Sequence, residues 1–98
     1  MNVYSATDID VVLHQTFTIA LESNPTTGYT WKSDYDLAVI ELVRQDFALQ
    51  SNAIGGGGEE TFEFRALQAG ETQVKMSYQR EGKDQPLEMK LYRVHIKQ

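Results

Sequence analysis

Apolar and polar residues alternate with a period of two along most of the chain. Phe17, Ile19 and Leu21 alternate with threonine and alanine, and the same pattern recurs at residues 62–66, 72–78 and 92–96. Successive side chains of a β-strand point to opposite faces, so each run places its apolar residues on one face and its polar residues on the other. The 3.6-residue spacing of an amphipathic helix is scarce. The pattern therefore predicts an all-β chain.

Turn-forming residues separate these runs. They lie at Asn24-Pro25, in the glycine run 55–58, at Ala69-Gly70 and from Glu81 to Pro86. Many short strands separated by turns are typical of a sandwich of two sheets. We predict an immunoglobulin-like β-sandwich of about seven or eight antiparallel strands. Because neither a linker nor an internal repeat interrupts the pattern, residues 1–98 are predicted to form a single domain.

Two stretches leave the strand pattern ambiguous. Between residues 34 and 46, Leu37 and Ile40 fit either a short helical turn or an irregular strand, and we favour the strand because both neighbouring segments are strands. Near the C-terminus, the apolar residues at 87, 89 and 91 share one parity, whereas those at 92, 94 and 96 share the other. Either a β-bulge near Leu91 reconciles the two sets, or the first set lines a loop and only the second reaches the core.

The composition is that of an ordinary folded domain, with 41% hydrophobic and 23% charged residues. There is no cysteine, so disulfide bonds, a thiolate metal site and a cysteine nucleophile are excluded. The stability of the chain must then come from apolar burial and backbone pairing. Trp31, Phe62, Phe64 and Val74 are predicted to lie in the core.

Charge and hydropathy argue against two classes of function. A formal net charge of −5 and a pI of about 4.9 leave no basic surface for nucleic acid. No stretch approaches the roughly 20 apolar residues of a membrane span. Residues 1–5 lack the basic and apolar regions of a signal peptide. We therefore expect a cytoplasmic location, or a vesicular or secreted one if a leader has been removed.

The most informative segment lies between two predicted strands and consists of Asn24, Pro25, Thr26, Thr27, Gly28 and Tyr29. Pro25 restricts its own φ and pushes Asn24 into an extended conformation. The two β-branched threonines are stiff at χ1, and Gly28 can take a positive φ before the next strand. Local chemistry alone describes a well-made turn that has little conformational freedom to lose on binding.

A second segment consists of Gly55, Gly56, Gly57 and Gly58. Taken alone, it is most simply a flexible hairpin connection. It does not fit a phosphate-binding loop, because a following helix and the Lys-Ser/Thr pair are missing. The alternative is that bare backbone lets a partner approach closely and form main-chain hydrogen bonds. A third segment, residues 78–86, is polar and is most simply a solvated loop.

Together these segments resemble the chagasin family of inhibitors of papain-like cysteine proteases. That family has an Asn-Pro-Thr-Thr-Gly-aromatic loop followed by tryptophan, then a Gly-x-Gly-Gly loop, then a loop that opens with Arg-Pro-aromatic. The chain has the first motif at Asn24 to Tyr29 with Trp31 behind it, and the second within Gly55 to Gly58, in the same order. In the third motif Arg80 matches, whereas the two residues after it do not.

The resemblance implies a reversible inhibitor of papain-like cysteine proteases rather than an enzyme, with no cofactor and a monomeric free state. In this family three loops at one end of the sandwich form a wedge that fills the protease cleft. Asn24 to Tyr29 would then lie over the catalytic cysteine and histidine, Gly55 to Gly58 along the unprimed side, and Arg80 on the primed side. The alternative from another class is an immunoglobulin-like adhesive or ligand-binding module, which would bind through a sheet face.

Other candidate sites are weaker. His14 and His95 are too few for a zinc site in a chain without cysteine. The pairs Asp8/Asp10 and Asp34/Asp36 are spaced like calcium ligands, but the glycine turn and distal glutamate of an EF-hand loop do not follow them. With 14 acidic residues on a small surface, chance carboxylate pairs are inevitable, so a glycosidase-type pair is the least favoured reading.

Overall fold

The computed structural model describes residues 5–49, 57–82 and 85–98, which form seven strands and one short 3₁₀ helix, Pro25–Thr27. The strands are β1 (Ser5–Val12), β2 (Thr16–Ser23), β3 (Tyr29–Tyr35), β4 (Ile40–Leu49), β5 (Gly58–Ala66), β6 (Gly70–Arg80) and β7 (Glu88–Lys97). They make two sheets that face each other, one in the order β1-β7-β6-β3 and the other in the order β2-β5-β4. The predicted all-β sandwich is confirmed.

Four of the five strand pairs are antiparallel, as predicted, but β1 and β7 run parallel. Antiparallel neighbours can be joined by a short hairpin, which ties their direction to the turn between them. No such turn joins the first strand to the last, so their relative direction depends on the whole fold. The antiparallel prediction is therefore wrong for this one pair.

The core lies between the two sheets. Its buried apolar residues are Val11, Ile19, Leu21, Trp31, Ile40, Phe62, Phe64, Ala66, Val74, Met76, Val94 and Ile96. The four residues predicted from the sequence are among them, with exposed fractions of 3% or less. Most occupy alternate positions of their strands because only one face of each sheet meets the other sheet.

The ambiguous stretch between residues 34 and 46 contains both structures that the sequence allowed. Strand β3 continues to Tyr35, and β4 begins at Ile40. Between them the chain makes one helical turn, in which the Ile40 amide donates to the Asp36 carbonyl at 3.1 Å. The Asp36 carboxylate also accepts the Ala38 amide at 2.9 Å. The preference for strand is therefore right on either side and wrong for the turn itself.

The change of parity near the C-terminus has no bulge. Strand β7 pairs with β6 in continuous register through Leu91, so the first alternative, a bulge near Leu91, is wrong. The second alternative is right in that only the later set reaches the core, but of the first set only Leu87 lies in a loop. Val94 and Ile96 face the core, whereas Leu91 lies on the outer face, where its neighbours half-bury it. Leu87 precedes the strand and is exposed. The bulge in the described residues lies instead in β4, between Leu42 and Arg44.

A cluster of charged side chains crosses the outer face of the four-stranded sheet. Asp8 of β1 lies 3.1 Å from both Arg93 Nε and His95 Nε2 of β7. His95 Nδ1 in turn lies 3.2 Å from Glu71 Oε1 of β6. The hydrogen bond to Asp8 is the main cause that raises the pKa of His95, and the same bond lowers the pKa of Asp8. Glu71 and Asp10 also raise the pKa of His95.

This cluster predicts a stability difference that depends on pH. Because folding raises the pKa of His95 above its ordinary value, its stabilisation is fully present below about pH 6.5 and is lost as the pH rises through the raised pKa. His95→Gln should therefore lower the melting temperature slightly near pH 5.5 and have almost no effect near pH 8.5. In an Asp8→Asn background the dependence on pH should be smaller. An equal decrease at both pH values would contradict this assignment.

Among the described residues, no helix has the length and apolar character that crossing a membrane requires.

Candidate functional site

Three chain connections begin and end at the same end of the sandwich. We call them the first loop (24–28, between β2 and β3), the second loop (50–57, between β4 and β5) and the third loop (81–87, between β6 and β7). The register shows the common end: Ser23 and Leu49 both pair with Gly58, and Tyr29 pairs with Arg80. Alternate connections of a sandwich cluster in this way because each strand reverses the direction of the chain.

The first loop is held by hydrogen bonds within its own sequence. The Asn24 carbonyl accepts the Thr27 amide at 3.1 Å and the Thr27 hydroxyl at 2.7 Å. The Asn24 side-chain oxygen accepts the amide and the hydroxyl of Thr26. The Thr27 hydroxyl also accepts the Tyr29 amide at 3.3 Å. Gly28 then takes a φ of 84°, a conformation that suits glycine. The loop is thus a compact 3₁₀ turn held by the hydrogen bonds of Asn24 and Thr27.

Strand β6 contacts the first loop through the side chain of Tyr78. The Tyr78 hydroxyl accepts the Asn24 amide at 3.0 Å, and its ring lies 5.4 Å from that of Tyr29 and 4.8 Å from that of Trp31. The sequence pattern placed Tyr78 on the inner face with Val74, but it gave no sign of the hydrogen bond to a residue 54 positions away. Tyr78 is therefore a supporting residue that the sequence analysis missed.

Arg80, the last residue of β6, lies against the first loop. Its guanidinium carbon is 5.5 Å from the centre of the Tyr29 ring, an arrangement in which the cation is attracted to the ring face. A Cβ atom on Gly28 would lie 3.1 Å from Arg80 Cδ, so the glycine also leaves room for the arginine. The structure thus brings together two elements that the sequence analysis assigned to separate loops.

The described part of the second loop shows a close approach between backbones. Gly55 and Gly56 lie outside the described residues. A Cβ atom on Gly58 would overlap the Ala48 carbonyl oxygen and lie 2.7 Å from the Phe47 ring. One on Gly57 would lie 3.1 Å from the Ser23 carbonyl oxygen. At Gly58, the absence of a side chain therefore serves packing within the chain itself, because it lets Phe47 and the backbone of β4 lie close to β5.

The third loop begins with a tight turn. Gly82 has a φ of 84°, which side chains with a Cβ atom rarely adopt, and the Leu87 amide closes the loop by donating to the Tyr78 carbonyl at 2.8 Å. An aromatic residue at position 82 would be strained in this conformation. The local backbone therefore explains why glycine stands where the family motif has an aromatic residue. Residues 83 and 84 lie outside the described residues.

The weaker candidate residues from the sequence analysis lie away from the end of the sandwich that carries the three loops. His14 lies in the turn between β1 and β2 with a φ of 75°, and His95 lies on the outer sheet face. Within the described ranges, no three histidine, cysteine or acidic residues are arranged to hold a metal ion. Asp34 and Asp36 border a shallow depression beside Lys75, away from the three loops.

The described residues form a two-sheet β-sandwich in which the first loop is ordered by its own hydrogen bonds. Residues 10–96 match the family described as chagasin family peptidase inhibitor I42. The chain belongs to this family, which confirms the resemblance drawn from the three motifs. It is therefore classed among peptidase inhibitors and not among enzymes.

Solved structures confirm the fold. The cysteine protease inhibitor EhICP2 from Entamoeba histolytica is 23% identical with a TM-score of 0.75, covering 98% of this chain and 99% of its own. Amebosin is 21% identical with a TM-score of 0.61, covering 97% and 99%. PbICP-C, solved in complex with falcipain-2, is 14% identical with a TM-score of 0.68, covering 97% and 88%. No curated protein matches the chain in sequence.

Proposed function

We propose that this chain is a reversible inhibitor of papain-like cysteine proteases that fills the active-site cleft with its three loops. The observation that carries the proposal is the first loop: its motif is ordered by its own hydrogen bonds in a member of a peptidase inhibitor family. EhICP2 is a cysteine protease inhibitor, and PbICP-C was solved in complex with falcipain-2. The protein acts as a single domain and a monomer without a cofactor.

Each loop has its own part of the cleft in this proposal. The first loop, Asn24 to Tyr29, lies over the catalytic cysteine and histidine of the protease. Gly55 to Gly58 runs along the unprimed side, and Arg80 contacts the primed side. The three loops leave the sandwich at one end, so they can enter one cleft together. A contact of standard size would bury about 1,600 Å² in total.

The hydrogen bonds of the first loop explain how an inhibitor can occupy a protease cleft without being cut. Acylation requires a carbonyl carbon about 3–3.5 Å from the attacking sulfur with aligned geometry. The Asn24 carbonyl already accepts two hydrogen bonds from Thr27, so the backbone cannot extend into a substrate-like strand without losing them. The same order reduces the entropy lost on binding, about 0.5–1.5 kcal/mol for each immobilised side chain.

The third loop contributes through charge rather than through an aromatic anchor. Glu81 and Gly82 supply no large apolar surface, whereas Arg80 is exposed and is steadied by the Tyr29 ring. Charges at the rim of an interface mainly change the association rate and its dependence on salt. Arg80 is therefore assigned to steering and orientation, and the first loop to the tight contact.

Titration of papain tests the proposed function directly. A fixed, catalytic amount of papain should lose activity in proportion to the added protein, and activity should return on dilution because no covalent bond forms. Mass spectrometry after long incubation with excess protease should find the inhibitor intact. Rapid cleavage between Thr26 and Thr27 with recovery of papain activity would contradict the proposed wedge arrangement. Full papain activity at a saturating concentration of the protein would contradict the proposed function itself.

A further inference from the structure

Glu60 is a buried carboxylate close to the loops. It lies on β5, two residues after Gly58, with an exposed fraction of 6%. In the register its neighbours are Leu21 and Phe47, both apolar. Burying a carboxylate in apolar surroundings has a free-energy cost that an apolar side chain of similar volume would avoid. A buried carboxyl side chain at this position therefore requires hydrogen-bonding partners.

That contact is with the opposite sheet. The Thr30 hydroxyl lies 3.2 and 3.3 Å from the two oxygens of Glu60, and the Trp31 amide donates to Oε2 at 3.2 Å. Strand β3 is the edge of its sheet and pairs only with β6, so alternate amides along it point away from the sheet. Glu60 accepts one of these. None of the ion pairs in the described ranges includes Glu60.

A second bond across the sheets joins at the same place. The Trp31 indole donates to the Glu22 carbonyl of β2 at 2.8 Å. Glu22 lies two residues before Asn24, and Thr30 lies two residues after Gly28. These hydrogen bonds therefore lie next to both ends of the first loop. Through Glu60, the start of β5 belongs to the same hydrogen-bond network.

We propose that Glu60 is a positioning residue that fixes the first loop relative to the start of β5 across the gap between the two sheets. This inference rests on the proposed function of the loops. Strands β3 and β5 belong to different sheets, so backbone pairing does not set their relative position. Apolar contact between the sheets is not directional, whereas hydrogen bonds from Thr30 and Trp31 are directional and hold a defined geometry. A binding site needs its loops held to within about 0.5 Å.

Two substitutions of Glu60 separate positioning from stability. Glu60→Leu removes the acceptor and leaves the Trp31 amide unpaired, but it also removes the cost of burying a carboxylate. The two effects partly offset each other, so the melting temperature should change little while inhibition of papain weakens about tenfold. Glu60→Gln keeps an acceptor and should retain inhibition within about threefold. Glu63→Leu, on the same strand with its side chain on the opposite face, is the matched control and should change neither quantity.

Amide hydrogen exchange of the free proteins gives a readout that does not depend on a protease. In Glu60→Leu, the amides of residues 26–31 should exchange faster while those of the core strands keep their protection, and Glu60→Gln should restore the slow exchange. Should Glu60→Leu fail to fold, Thr30→Val removes one donor at an exposed position and should produce the same local change.

The outcomes distinguish this inference from the proposed function. Unchanged inhibition and unchanged exchange in Glu60→Leu would overturn the positioning role, and so would faster exchange spread evenly over all strands. If the unsubstituted protein does not inhibit papain, the proposed function fails, and the exchange experiment still decides whether Glu60 orders the first loop.

Discussion

Phe64→Ala is expected to lower the free energy of unfolding by about 3–5 kcal/mol. The Phe64 side chain is fully buried on the central strand β5, where its ring stacks on Phe17 at 5.4 Å and meets the edge of Tyr35 at 5.1 Å. A domain of this size has a total stability of only about 5–15 kcal/mol. The chain has no cysteine that could reinforce it by a disulfide. The substitution therefore removes a large share of the stability.

Urea denaturation measures this effect, with the fluorescence of Trp31, the single tryptophan, as the probe. Phe47→Ala is the matched control, because it removes the same side chain from the neighbouring strand β4, where that side chain is 41% exposed. It should lower the free energy of unfolding by less than half as much as Phe64→Ala. Equal losses at the two positions would contradict the assignment of the core to the space between the sheets.

Thr27→Ala is expected to weaken inhibition of papain about thirtyfold, which corresponds to about 2 kcal/mol of binding free energy. The Thr27 hydroxyl donates to the Asn24 carbonyl at 2.7 Å and accepts the Tyr29 amide at 3.3 Å. Without the hydroxyl, the loop gains conformational freedom that binding must remove, and the proposed arrangement loses a contact with the protease. The side chain is exposed, so the melting temperature should hardly change.

Thr27→Ser provides the control for this prediction, because it keeps both hydrogen bonds and removes only the methyl group. Inhibition by the serine variant should stay much closer to that of the unsubstituted protein, and most of the loss in the alanine variant should arise from faster dissociation. The assignment of the binding site to the first loop would be wrong if Thr27→Ala unfolded the protein while the folded fraction inhibited normally.

The first loop is the part of the site that could be predicted best from the sequence. The hydrogen bonds within it join residues no more than three positions apart, from Asn24 to Tyr29, so its internal order depends on local chemistry. The alternating pattern likewise identified the buried faces of the strands, because alternation of side chains is a local property of extended backbone. Trp31 and Phe64 were placed in the core on this basis.

Register and pairing were harder to predict. The apolar residues at 87, 89 and 91 allowed either a bulge near Leu91 or a loop. Strand β7 instead continues without a bulge, because the outer face of an inner strand is partly covered and apolar residues can occupy both faces. The actual bulge, between Leu42 and Arg44, follows from how an edge strand fits against β5. Such features depend on neighbours that lie far away along the chain.

Side-chain alternation and contacts within a few residues are properties of the local sequence, so the class of fold, the inward faces of the strands and the order of the first loop could be predicted. The hydrogen bond between Tyr78 and Asn24, the position of Arg80 over Tyr29 and the link from Glu60 to Thr30 and Trp31 arise from the tertiary structure. These partners are 29 to 54 residues apart. They meet because strand order and register bring them together, and no local pattern of residues encodes that encounter.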